Sequence, residues 1–72
     1  MEIRVRLGKN VRRLIVGKGL TFRQFAKDYG FHMSFISRVI AGDANVTLLQ
    51  LQKLARALNT RADKLISPPR ET

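Results

Sequence analysis

The chain contains no cysteine, one histidine and only five acidic residues among its 72. The absence of cysteine excludes disulfides, thiolate metal sites and a thiol nucleophile, and nothing points to an oxidising compartment. A single histidine, His32, has no second histidine, thiol or nearby acidic pair to join it, so neither a metal site nor acid–base chemistry finds a set of partners. No enzyme motif, cofactor site or metal is expected. No apolar run reaches the roughly 20 residues that cross a bilayer. The opening residues, MEIRVRLGKN, lack the apolar block and small-residue cleavage site of a secretory signal. A cytoplasmic chain is expected.

The shortage of acid is matched by fourteen Lys and Arg, for a net charge of +9 and a pI near 11.5. A field of that sign attracts polyanions, either nucleic acid or an anionic membrane. A merely solvated basic surface is the alternative. The length allows one small domain, near the lower limit at which packing alone holds a fold. The apolar fraction of 44% is ordinary for a globular domain. The reading is one domain over residues 1–66 and a short polar tail over 67–72, SPPRET.

A Ser or Thr followed three residues later by Gln, Glu or Asp can seal a helix N-terminus. That pattern occurs at Thr21–Gln24, Thr47–Gln50 and Thr60–Asp63, so helices are expected to start near Phe22, Leu48 and Arg61. Leu7, Val11, Leu14 and Ile15 recur with helical period before them, with Gly17 and Gly19 as a stop. This helix is expected to begin at about Arg4 or later. A basic arm or short strand over Glu2–Arg6 is the alternative, in which Arg4 and Arg6 would reach DNA. Between Gly30 and Gly42, Ile36, Val39 and Ile40 share one face while Ser34, Ser37 and Arg38 share another. The expected class is therefore all-α, a compact bundle of five short helices.

Residues 21–42 read TFRQFAKDYGFHMSFISRVIAG, two short helices separated by one glycine. A sharp turn needs a residue tolerant of positive φ, Gly30, and close helix approach needs a small one, Ala26. Phe25 and Tyr29 are expected to face inward, Phe31 to close the turn, and Ile36 and Val39 to face inward from the second helix. This stretch, with ISRVIAG and the later LLQLQKLARALNTRADKLI, resembles the helix-turn-helix of the Cro and phage-repressor (Xre) type, a lambda-repressor-like DNA-binding domain. The resemblance spans Leu7–Ile66. Two positions depart from it: Phe22 stands where the family usually has a phosphate-contacting Gln, and His32 where it usually has a Ser or Thr cap. Phe22 is read as core or staple, and His32 as a cap or phosphate contact.

The resemblance implies sequence-specific binding of double-stranded DNA, with the recognition helix 32–41 in the major groove. Met33, Ser34, Ser37 and Arg38 are then the candidate base readers. An Arg38 fork on guanine O6 and N7 is worth about 1 to 3 kcal/mol of discrimination. Met33, where relatives often carry an adenine-reading Gln, can cover a thymine methyl group instead, or pack against Phe22 or Phe35. Arg23, Lys27, His32, Asn45 and Thr47 are the candidate backbone contacts, while Arg12, Arg13, Lys53 and Arg56 are expected to solvate the far side. Neutralising about six phosphates per dimer implies a log–log salt slope near −5. One module reads few base pairs, so a homodimer on a palindromic operator is expected, acting as a small transcriptional repressor. Its contact is expected around Thr60–Ile66, with Leu65 and Ile66 as apolar contributors. Two other readings remain: an antitoxin-like interaction module with secondary DNA binding, and membrane binding by GKNVRRLIVGKG, whose apolar face is needed for the core.

Overall fold

The computed structural model describes residues 2–68. Of the expected tail over 67–72, residues 69–72 lie outside the described ones. Five helices follow in order: α1 Ile3–Gly17, α2 Phe22–Tyr29, α3 Met33–Ile40, α4 Leu48–Ala57 and α5 Ala62–Leu65, with no strand among the described residues.

Helix α1 begins one residue earlier than expected, because Glu2 makes its own cap. The Glu2 carboxylate accepts from the Arg4 backbone N–H at 3.0 Å and from Arg4 Nε at 3.1 Å. The first of these bonds holds its pKa below the ordinary carboxylate value. Arg4 and Arg6 are consequently carried on a helix, and the arm and strand alternatives fall away.

Two of the three expected capping boxes form. The Gln24 N–H donates to Thr21 Oγ1 at 3.1 Å, and the Thr21 N–H returns a bond to Gln24 Oε1 at 3.0 Å. Thr47 and Gln50 repeat this at 3.1 and 2.9 Å. The third does not form. Arg61 rather than Thr60 occupies the N-cap of α5, and Asp63 is taken by the Arg61 Nε at 2.9 Å. The bond from the Thr60 N–H to the Ala55 carbonyl at 2.9 Å commits the box residue to the end of α4 instead.

One core gathers Leu7, Val11 and Ile15 from α1, Phe25 and Ala26 from α2, Ile36 and Val39 from α3, Leu54 and Ala55 from α4, and Leu65 from α5. Each large side chain withdrawn from water there contributes about 1.5 to 3 kcal/mol. Tyr29 is a correction: it is 38% exposed and lies against Phe25 from outside, with ring centroids 4.9 Å apart. Phe31 stacks on Phe25 at 5.7 Å and takes the inner position.

Two residues in α1 seat the rest. A Cβ on Gly8 would fall against the carbonyl oxygens of Val39 and Ile40, the latter 2.9 Å away, so glycine lets α1 lie directly on the end of α3. Asn10 is buried, and its Nδ2 donates to the carbonyls of Leu65 and Ser67, each at 2.8 Å, and of Lys64 at 3.3 Å. Two of those carbonyls belong to the end of α5, a helix of only four residues, and the third to Ser67 just beyond it. Asn10 thus satisfies acceptors that so short a helix cannot satisfy itself.

Candidate nucleic-acid interface

Gly30 reverses the chain at φ 73°, ending α2 with its N–H on the Ala26 carbonyl. The Phe31 N–H donates to the same carbonyl at 2.8 Å. After this turn α3 buries Ile36 and Val39 and leaves Ser34, Ser37 and Arg38 exposed. Residues three and four apart on a helix share a face, so these three project together. Met33 is half-buried and packs against the core, as does Phe22. Phe35 is half-buried, its ring 5.8 Å from that of Phe31.

The start of α3 is open. His32 occupies the N-cap with extended backbone, but its side chain makes no cap hydrogen bond, and no acidic residue stands in the first turn. The capping role expected of His32 is therefore not realised. The free N–H groups and the positive end of the helix dipole are left beside exposed His32 and Ser34.

Arg23 and Lys27 are exposed on α2, Asn45 lies exposed in the loop before α4, and Thr47 is exposed at its cap. The Thr47 hydroxyl accepts the Gln50 N–H at 3.1 Å, which leaves its own proton for an outside acceptor. Among the described residues only two ion pairs form, Arg4–Glu2 and Arg61–Asp63. Among the described residues Arg23, Lys27 and Arg38 are thus paired with no acid, which suits them to phosphates.

His32, Ser34 and Arg38 line one cleft of about 280 Å³ together with Gly30, Phe31, Phe35, Gln50 and Lys53. Asn45 lies elsewhere, in a groove of about 310 Å³ with Ile3, Leu7, Val46, Leu48, Leu51 and Ile66. Leu65 is a further correction. It is completely buried and builds the core, so it offers no surface to a second chain, whereas Ile66 is half-buried at the second groove. The exposed apolar side chains near that groove are Ile3 and, at the start of α4, Leu48 and Leu49, which are 84% and 78% exposed.

Lys53, expected on the far side, instead reaches back to the turn. Its Nζ donates to the Gly30 carbonyl at 2.9 Å and stands 4.5 Å from the centre of the Phe31 ring. No local pattern signals a contact that spans 23 positions of chain.

Residues 11–65 match the family described as helix-turn-helix. The chain is 35% identical over 72 residues to the uncharacterized HTH-type transcriptional regulator y4dJ of Sinorhizobium fredii, spanning 100% of this chain and 94% of that protein. Its fold is similar to the crystal structure of hypothetical transcription factor NHTF from Neisseria, with a TM-score of 0.87 and 31% identity over 94% of this chain and 78% of the other. It is also similar to the restriction-modification controller protein C.AhdI from Aeromonas hydrophila, with a TM-score of 0.77 and 34% identity over 86% of this chain and 94% of the other.

Proposed function

Since the chain belongs to the helix-turn-helix family and is a DNA-binding transcriptional regulator, not an enzyme, we propose that it binds a palindromic operator as a symmetric dimer and represses by occupying it. The observation that carries this reading is the outward face of α3: Ser34, Ser37 and Arg38 are exposed together beside an unsealed helix start. In this reading α3 lies in the major groove. Arg38 bonds guanine through its fork, Ser34 and Ser37 donate to a base or phosphate, and the exposed part of Met33 covers a thymine methyl group. Arg23, Lys27, His32, Asn45 and Thr47 hold the flanking phosphates.

The self-contact falls to the exposed Leu48 and Ile3, which line the groove with Ile66, and to the neighbouring exposed Leu49. Residues 44–52, ANVTLLQLQ, carry no charge in a chain of net +9, so two copies can approach there with least repulsion. Asn45 lines the same groove, which would bring the phosphate contact beside the two-fold axis.

Selection of bound sites from random DNA tests the reading. Enrichment of an inverted repeat, with a log–log salt slope near −5, is expected. Failure to enrich any site, or a single unrepeated half-site bound by a chain that stays monomeric in sedimentation, would sink it. Exchange of Met33 for Gln should move one symmetric pair of operator positions toward adenine; unchanged preferences at every position would mean that Met33 reads no base.

A further inference from the structure

We propose that Lys53 is a positioning residue for base readout: from α4 it clamps the turn between α2 and α3 and so sets the pose at which α3 presents its reading side chains. The inference rests on α3 being the reading helix, and it concerns how that helix is held rather than what it touches.

The clamp has two jaws on one turn. The Lys53 Nζ donates to the Gly30 carbonyl at 2.9 Å, an acceptor at the C-cap of α2 where the helix leaves carbonyls unsatisfied. The same ammonium stands 4.5 Å from the Phe31 ring centre, within range of a cation–π attraction. Phe31 is the one residue whose ring stacks on both helices of the motif, on Phe25 of α2 at 5.7 Å and on Phe35 of α3 at 5.8 Å. Whatever holds Phe31 therefore holds both. The base of the clamp is also fixed, because Leu54, the next residue, is completely buried.

The need for such a clamp follows from the packing. Helix α4 packs chiefly against α5, while α3 packs against α1 and α2. The Lys53 side chain joins α4 to the turn at the edge of the cleft that also holds Ser34 and Arg38. An arginine fork must meet two base atoms within about half an ångström. A small rotation of α3 about a loosened turn would then cost selectivity before it costs attraction to phosphate. A solvating or phosphate-binding lysine would show neither the bond to Gly30 nor the placement over Phe31 as its chief contacts.

The test uses the full chain and the operator that the wild type selects. Lys53→Met keeps the length of the side chain and removes its charge and donors. Binding to the operator should weaken about threefold to tenfold, the range of an exposed charge-assisted bond. The penalties for single mismatches at the steps facing α3 should shrink, while affinity for random DNA and the salt slope stay as they are. Lys53→Arg, which can both donate and stack, should restore operator binding. Equal weakening on operator and random DNA, with a slope shallower by about one, would make Lys53 a phosphate ligand and overturn the proposal, as would unchanged operator binding. A wild type that selects no site would overturn the reading beneath it. One measurement is independent of DNA: amide hydrogen exchange at Phe31 in the free chain should speed up in Lys53→Met while exchange at Leu54 does not. Unchanged exchange at Phe31 would show that there is no clamp.

Discussion

Helices α2 and α3 are equal in length and adjacent in the chain, yet their starts are built in opposite ways. Helix α2 begins with both bonds of a capping box and ends on the left-handed Gly30, so its termini are closed within four residues of chain. Helix α3 begins at a His32 whose side chain makes no cap hydrogen bond. The difference repeats further on. The start of α4 is sealed by Thr47 and Gln50, whereas α5 has no side-chain cap at its start and rests at its opposite end on Asn10, which comes from α1. A helix left unsealed by its own neighbours needs a partner from elsewhere. For the C-terminal carbonyls of α5 that partner is another helix; for the N-terminal N–H groups of α3, in the reading proposed above, it is DNA.

Breaking the remote support should have the largest effect. Asn10→Ala removes the donor from three carbonyls at or just beyond the end of α5, two of them 2.8 Å away, and should destabilise the fold by about 2 to 3 kcal/mol in urea denaturation. A loss below about 0.5 kcal/mol would mean that α5 needs no such support. Gly8→Ala follows. The added methyl group meets the carbonyls of Val39 and Ile40 and should cost about 1 to 2 kcal/mol, the overpacking penalty less the gain in helix propensity. Increased stability would show that α1 and α3 can part without cost.

One sequence motif meets two fates in this chain. Thr21→Ala should cost about 1 kcal/mol, because its box is formed. Thr60→Ala, whose side chain makes no cap, should cost less than about 0.5 kcal/mol. Equal losses would erase the distinction. Giving α3 the seal it lacks should separate stability from function. His32→Asp should add about 0.5 to 1 kcal/mol through the cap and the helix dipole, while weakening operator binding about tenfold by setting a carboxylate against phosphate. Tighter binding would show that the open start of α3 meets no phosphate.

The smallest effect belongs to Glu2. Its pKa is lowered in the fold, chiefly by the Arg4 backbone N–H, so its stabilising contribution is complete above the unfolded carboxylate value of about 4.3. It is lost as pH falls through the lower folded value. Amide exchange at Arg4 should therefore quicken, relative to Ile15, only in that acid window. No such change would mean that the cap is not held by charge.

The closed ends of α2 and α4, the glycine turn at Gly30 and the outward Ser34, Ser37 and Arg38 were all legible in the order of residues, because each depends on groups at most four positions apart. Spacing encodes bonds of that reach directly. Charge pointed to a polyanion for a similar reason, since a net field depends on composition more than on fold. Tertiary structure decided the rest. Leu65 and Ile66 look alike as neighbours in sequence, and only the approach of α5 to α1 puts one in the core and leaves the other at a groove. Thr60 and Asp63 have the spacing of a cap, but the end of α4 takes the Thr60 N–H and Arg61 takes the Asp63 carboxylate. Gly8, Asn10 and Lys53 carry no local signal of their roles, since their partners lie more than 20 positions away. A contact of that span exists only once other helices have packed, and packing depends on which faces meet rather than on which residues are adjacent.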